Sequence, residues 1–194
     1  LDRTRSEASL GENQAERQGL EIRALRLDAL VSRRDFEPDC GMRALAPQDV
    51  TEALKLLRTS RTQRETQELI ARRQKRQREE ELLELQAKRD QLVTEASLAR
   101  DELDVTRPRV ASGAASQVEI LRLEREVNRA TGELQQVRAG IRRVEASVQE
   151  ASSNIETVRL EFLNETREKL AETYNRIAAL SQAGAGLSDR VSDT

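Results

Sequence analysis

Residues 120–162 read ILRLEREVNRATGELQQVRAGIRRVEASVQEASSNIETVRLEF and carry a small or apolar side chain at every third or fourth position. Spacings of three and four alternate without a miss, which is the heptad pattern of a coiled-coil helix. The segment therefore predicts a long α-helix that packs against a partner helix along one narrow seam. The seam positions are Ile120, Leu123, Val127, Ala130, Leu134, Val137, Ile141, Val144, Val148, Ala151, Ile155, Val158 and Phe162.

The partner helix is predicted to lie immediately before this segment in the chain. Residues 50–112 contain one proline and no glycine, and they keep a weaker apolar register. The turn at residues 113–116 is short enough to force an antiparallel return. Gly113 can adopt the left-handed cap of the first helix, and Ser116 with Glu119 fits the capping box of the second. We therefore predict an ascending helix at 50–112, a tip at 113–116 and a descending helix at 117–183.

The descending helix is predicted to change register beyond Phe162 and then to end at two glycines. The pattern steps by four residues from Phe162 to Thr166 and again to Leu170, which predicts a local unwinding of the supercoil. Gly184 and Gly186 are predicted to stop the helix. Residues 184–194 are interpreted as an exit segment.

The N-terminal part of the chain predicts one more helix and a connector. Residues 1–35 have helix-forming composition, whereas residues 36–49 open with turn-forming acids, Pro38 and Gly41 and show no useful period. Pro47 suits the first turn of the ascending helix. The fold class is therefore all-α: a long antiparallel coiled-coil hairpin with an additional N-terminal helix near its base. The direction of that first helix is open, because the connector is long enough for either.

Composition argues against an enzyme and against a thick globular core. Aromatic residues make up 2% of the 194 residues and charged residues 35%, with no His and a single Cys. Zinc sets, Cys–His pairs and His-based proton relays cannot be built from this chain alone. We therefore predict no catalytic residue, no metal ligand and no cofactor.

The segment RRQKRQR at residues 72–78 is the one dense basic run. A basic helix can contact phosphate or an anionic membrane surface, so a nucleic-acid or membrane binder is one alternative. Acidic residues follow the run at once, and the net charge is −2, which favours a solvated helix face and no nucleic-acid partner.

Apolar runs fall well short of the roughly 20 residues that span a bilayer. The chain is expected to be a piece of a larger protein.

Three stretches resemble the HlyD family of periplasmic adaptor, or membrane fusion, proteins. Residues 1–5, LDRTR, resemble the end of that family's first lipoyl half; residues 113–126, GAASQVEILRLERE, resemble its hairpin tip; residues 162–170, FLNETREKL, are similar to its descending helix. The resemblance covers the whole chain and agrees with the hairpin predicted from periodicity. It identifies the chain as the helical-hairpin domain of a type I secretion adaptor.

The resemblance also implies a setting. Such adaptors stand in the periplasm, anchored to the bacterial inner membrane by a segment absent here, with lipoyl parts beyond the hairpin. They self-associate into a ring, usually hexameric, and link an ABC transporter to a TolC-like outer-membrane channel for protein export. The hairpin tip docks to the channel, and the adaptor performs no chemistry.

The family's tip pattern of Arg, Leu and Ser matches this sequence cleanly only at Ser116. Its Leu position falls on Arg109, next to Val110, and its Arg position falls on Val105. We predict a docking tip of Arg109, Val110, Gly113 and Ser116. The alternative is a structural or tethering coiled coil unrelated to secretion, for which the tip residues only turn the chain.

Overall fold

The computed structural model describes residues 2–192, and every regular element in that range is an α-helix. Helix α1 spans Asp2–Val31, α2 Cys40–Leu45, α3 Pro47–Ala111 and α4 Gln117–Ser192. Helices α3 and α4 form the predicted antiparallel hairpin, so the all-α fold class is confirmed. Side chains are described for residues 7–110, 112–189 and 191. Leu1 of the LDRTR stretch and residues 193 and 194 of the predicted exit segment lie outside the described residues.

The helices group into two compact units. The first, which we call the three-helix unit, contains the described residues up to Leu69 and from Glu156 onward, so it holds α1, α2, the start of α3 and the end of α4. The second, the two-helix unit, is Ile70–Ile155 and contains the rest of α3 and α4 with the turn between them.

The core of the three-helix unit is built by side chains from all three long helices. Its buried members are Ile22, Leu27, Ala29, Leu30, Phe36, Val50, Ala53 and Leu57. Phe162 and Leu170 of α4 pack against this cluster. The helix α1 thus adds a third apolar surface, and Ile22 is 2% exposed as a result.

Two contacts fix the direction of α1, which the sequence left open. Glu16 of α1 accepts a hydrogen bond from Arg176 of α4 at 3.0 Å. Asn13, one turn earlier on α1, lies beside Gly184, which is two turns later on α4. The helix α1 therefore runs antiparallel to α4, and so parallel to the start of α3.

The connector between α1 and α3 is more ordered than the predicted loop. Helix α1 ends at Val31, before the predicted residue 35, and Arg33 follows with a φ of 57°. The short helix α2 then occupies residues predicted as turn, because the Asp39 carboxylate caps it by accepting a hydrogen bond from the Met42 amide at 2.7 Å. Helix α3 begins at Pro47, the residue predicted for its first turn, and thus three residues before the bound of 50.

The two-helix unit has a core only one side chain wide. One cluster contains the buried residues Leu92, Leu134, Val137 and Ile141, against which Leu82 and Leu85 pack. A second cluster nearer the turn contains the buried residues Leu103, Ile120 and Leu123, against which Val110 and Val127 pack. Gly140 of α4 faces Leu85 of α3, and a β-carbon there would lie 3.6 Å from Leu85 Cδ1, an ordinary van der Waals distance.

The predicted end of α4 at residue 183 is wrong, because the helix continues to Ser192. A helical glycine costs roughly 1 kcal/mol relative to alanine, which a packed helix can absorb. Gly184 faces α1, and a β-carbon there would lie 2.9 Å from Asn13 Oδ1. The glycine that reads as a stop signal thus lies inside the helix, against the Asn13 side chain of α1.

Candidate functional site: the hairpin turn

The end of α3 is closed by backbone hydrogen bonds that need glycine at residue 113. Gly113 has a φ of 75°, and its amide donates to the Val110 carbonyl at 3.0 Å. The Ala114 amide donates to the Arg109 carbonyl at 2.8 Å. These two bonds are the Schellman motif, which satisfies carbonyls that the last helical turn leaves without partners. The sequence therefore sets where α3 stops.

Ser116 starts α4 by capping it. The Ser116 Oγ accepts a hydrogen bond from the Glu119 amide at 3.2 Å. The Glu119 carboxylate accepts from Arg122 at 2.9 Å, so only the serine half of the predicted capping box is formed. That bond to Glu119, followed by the charge of Glu119, raises the pKa of the Arg122 guanidinium.

The four predicted docking residues do not share one environment. Arg109, Gly113 and Ser116 are exposed, whereas Val110 is half-buried and packs against Leu103, Ile120 and Leu123. Val110 thus contributes to the hairpin core, and the turn offers a guanidinium, a hydroxyl and bare backbone to solvent. Whether these groups dock to a partner stays a prediction.

Sequence reasoning missed three exposed apolar side chains next to the turn. Val105 on α3 is 54% exposed, and Val118 and Leu121 on α4 are 71% and 49% exposed. The sequence does give a signal for such residues, because each apolar residue that lies two positions from a seam residue points away from the seam. Leu121, two positions before Leu123, is an example. Pro108 lies in the last turns of α3, where it removes one backbone donor.

Polar pairs across the hairpin mark the register of α3 against α4. Arg107 bonds to Glu124 at 3.1 Å, and Arg129 to Glu95 at 3.4 Å. These exposed pairs each contribute at most about 1 kcal/mol to stability, so the buried apolar clusters hold the two helices together. The pairs show which levels of the two helices face each other.

The predicted seam residues differ in burial along α4. Within the two-helix unit, the buried ones are Ile120, Leu123, Ala130, Leu134, Val137, Ile141 and Val144, and the half-buried ones are Val127, Val148, Ala151 and Ile155. In the three-helix unit, Val158 and Phe162 are half-buried. The Arg64 guanidinium lies 5.7 Å from the centroid of the Phe162 ring, a cation–π distance.

The basic run on α3 is tied into local ion pairs. Lys75 pairs with Glu79 at 3.0 Å, and Arg78 with Glu81 at 2.9 Å. Such pairs are typical of a solvated helix face.

Among the described residues, no group of three or more acidic or cysteine side chains is placed to hold a metal ion. Between residues 2 and 192, no helix is long and apolar enough to cross a membrane.

Comparison with known proteins places this hairpin among related structures. A search of curated proteins finds no match to the chain. A solved structure described as the soluble domain of LipC, a membrane fusion protein of a type I secretion system, superimposes with a TM-score of 0.86. The two chains are 14% identical, and the match covers 99% of this chain and 93% of the other. At that identity the likeness shows the fold.

The family comparison covers nearly the whole chain. The model of the family described as "AprE, long alpha-helical hairpin" matches residues 6–190, which include α2, α3 and the turn completely and most of α1 and α4. The chain belongs to the AprE long α-helical hairpin family.

Proposed function

We propose that this chain is the hairpin part of a type I secretion membrane fusion protein, and that it acts by contact rather than by chemistry. The observation that carries the proposal is the family match over residues 6–190, supported by the fold shared with the LipC soluble domain. The absence of His and the single Cys in the sequence agree with a non-enzymatic role.

In this proposal the protein works in the periplasm and is anchored to the bacterial inner membrane. It links an ABC transporter to a TolC-like outer-membrane channel, and several copies, six in the simplest arrangement, stand side by side around the exported protein. Lipoyl parts connect to both ends of the hairpin. These assignments follow from the resemblance of residues 1–5, 113–126 and 162–170 to the adaptor family.

The turn at residues 112–116 is the proposed docking site for the channel. Loops carried by rigid elements are where partners are contacted. The Schellman motif and the Ser116 cap hold the ends of α3 and α4 in place. Arg109, Gly113 and Ser116 are exposed there, so a partner can reach them without unfolding the hairpin.

Replacing Ser116 separates the two roles that the proposal gives it. Ser116→Ala removes the cap and should lower the free energy of unfolding by about 1 kcal/mol, with secretion kept. Ser116→Asp keeps a capping oxygen and suits the helix dipole, but a docked channel would have to desolvate its charge. We therefore expect Ser116→Asp to keep stability and to reduce secretion of the cognate cargo strongly.

The matched control adds the same charge at the start of the other long helix. Gln48 is exposed in the first turn of α3, within the three-helix unit, and Gln48→Glu should leave secretion unchanged. If Ser116→Asp is expressed at the normal level and secretes as well as Gln48→Glu does, Ser116 only turns the chain and the docking assignment is wrong.

A further inference from the structure

We propose that neighbouring copies of this chain pack side by side and point the same way, with an acidic face of α3 in one copy against a basic face of α4 in the next. The proposal concerns the two-helix unit. It rests on the self-association in the proposed function and adds which surfaces meet.

The first surface, which we call the α3 outer face, is defined by Leu83, Glu84, Leu98, Asp101 and Val105. Each of these residues is exposed, and Leu83 and Leu98 are each 64% exposed. Asp101 illustrates the geometry, because it lies two residues from the buried Ala99 and from the buried Leu103. Two residues correspond to about 200° around an α-helix. This face therefore points away from α4 and combines apolar side chains with carboxylates.

The second surface, the α4 outer face, is defined by Val118, Leu121, Arg125, Gly132 and Arg143. All five residues are exposed, and the charged ones are basic. Arg125 lies two residues from Leu123 and Val127 of the seam, so it points away from α3 by the same geometry. The hairpin thus carries an acidic and apolar face on one flank and a basic and apolar face on the other.

Charged side chains on both faces lack ion-pair partners within the described part of the chain. In the part of the chain that the structure describes, neither the Asp101 carboxylate nor the Arg143 guanidinium has an ion-pair partner. The Arg125 Nε donates only to the Leu121 carbonyl of its own helix, at 3.1 Å. These groups are therefore available to a partner of opposite charge.

The charges also match in level along the hairpin. The Arg107–Glu124 and Glu95–Arg129 pairs show which levels of α3 and α4 face each other. By that register Asp101 lies near the level of Arg125. Two copies side by side and pointing the same way would thus bring Asp101 of one copy toward Arg125 of the other.

The same charges disfavour a symmetric contact. Two α3 outer faces would place carboxylates against carboxylates, and two α4 outer faces would place arginines against arginines; like charges suppress such pairings. A contact between two different faces leaves one free face on each end of a dimer, so further copies can add until a ring closes. The occupant that fits each face is therefore the opposite face of a second copy.

Disulfide trapping in the full-length protein tests this pairing. Two tagged versions, both with Cys40→Ser, are coexpressed, one with Leu98→Cys and the other with Gly132→Cys. A β-carbon at Gly132 meets nothing within 4 Å, so the hairpin accommodates the new side chain. We expect a disulfide that joins the two differently tagged chains. Little dimer should form when either version is expressed alone. Dimers from Leu98→Cys alone, at the same yield, would overturn the proposal in favour of a symmetric contact.

Charge exchange gives a second readout on the same trapping assay. Asp101→Arg and Arg125→Glu should each lower the yield of the mixed disulfide about fivefold, and the double variant should recover it, because both faces then exchange sign. Circular dichroism should be unchanged, since both residues are exposed. Single variants that do not lower the yield, or a double variant that does not recover it, would refute the assignment of these faces.

An amine-reactive crosslinker joins copies whichever surfaces meet. It therefore distinguishes a failure of the proposed self-association from a failure of the face assignment alone. If it yields only monomers, the proposed self-association itself is wrong and the face assignment fails with it. If it yields multimers without the mixed disulfide, copies associate through other surfaces, and only the face assignment is overturned.

Discussion

The three-helix unit and the two-helix unit bury their apolar side chains in different ways. In the two-helix unit each helix has one neighbour, and Leu123 is fully buried in the seam with Leu103 and Ile120. In the three-helix unit α1 covers α3 and α4 together. Buried threonines are tolerated there: Thr166 and Thr173 are 5% and 3% exposed, and their hydroxyls bond to carbonyls of α4 itself.

The comparison teaches where a coiled-coil pattern can be broken. The change of register after Phe162, with its threonines, lies entirely in the unit where a third helix buries what the seam does not. The uninterrupted seam of residues 120–155 lies where no third helix exists. Along α4, the regularity of the apolar pattern thus follows the number of neighbouring helices.

Val144→Asp should produce the largest effect and break the two-helix unit. Val144 is 7% exposed in the seam, and the new carboxylate would be buried without a partner, at a cost on the order of 4 kcal/mol in the free energy of unfolding. The control is Arg76→Glu on the exposed basic run, which should stay within about 0.5 kcal/mol of the parent. Equal losses in chemical denaturation would mean that the seam is misassigned.

Leu123→Ala and Leu57→Ala compare the two cores directly. Each removes a buried leucine, from the two-helix and the three-helix unit respectively, and should cost about 3 kcal/mol. Hydrogen exchange should show loss of amide protection mainly in the unit that carries the substitution, because local opening follows local packing. Leu160→Ala, which removes a leucine that is 47% exposed, serves as control. Protection lost equally in both units by either variant would contradict a division into two packing units.

Gly132→Ala and Gly184→Ala form a matched pair, one in each unit. A β-carbon at Gly132 enters open space, so alanine should stabilise the two-helix unit by about 1 kcal/mol through helix propensity. At Gly184 the same change meets Asn13 of α1 at 2.9 Å, and the gain should be smaller or reversed. Thermal unfolding of both variants measures the difference. An equal gain at the two positions would contradict a close contact between α1 and α4.

Thr166→Val should give the smallest effect, and it tests how the three-helix unit accommodates a buried hydroxyl. The Thr166 hydroxyl bonds at 2.7 Å to the Phe162 carbonyl, a bond that slightly destabilises a helix. Valine keeps the shape and removes the buried hydroxyl, so we expect stabilisation of about 0.5 kcal/mol. Denaturation midpoints of Thr166→Val and of the exposed Thr94→Val test it. Destabilisation by more than 1 kcal/mol would show that the hydroxyl has a structural role that this packing does not explain.

Much of the hairpin could be predicted because its signals are local. The seam from Ile120 to Val144 depends on a period of 3.5 residues, and the turn depends on one glycine and one serine whose roles follow from backbone geometry. The same rules gave the wrong end of α4. A glycine has one meaning at a helix terminus and another where a neighbouring helix approaches, and only the position of Asn13 distinguishes the two at Gly184.

The parts that could not be predicted depend on contacts between distant segments. The direction of α1 is set by Glu16 with Arg176 across the chain. The short helix α2 was missed because Asp39 reads equally as a turn residue and as a helix cap. The outer faces were missed because an apolar residue outside the seam, such as Leu98 or Leu121, is a weak signal by itself, and their exposure shows that α3 and α4 do not cover them.

Site-specific photocrosslinking in cells tests most directly whether the hairpin turn meets the outer-membrane channel. A photoreactive residue at position 109 or 116 of the full-length protein is compared with one at Gln48, which is also exposed but lies in the three-helix unit. We expect an adduct with a TolC-like channel from positions 109 and 116 and none from position 48. Adducts from position 48 alone, or no channel adduct from the turn in cells that still secrete, would contradict it.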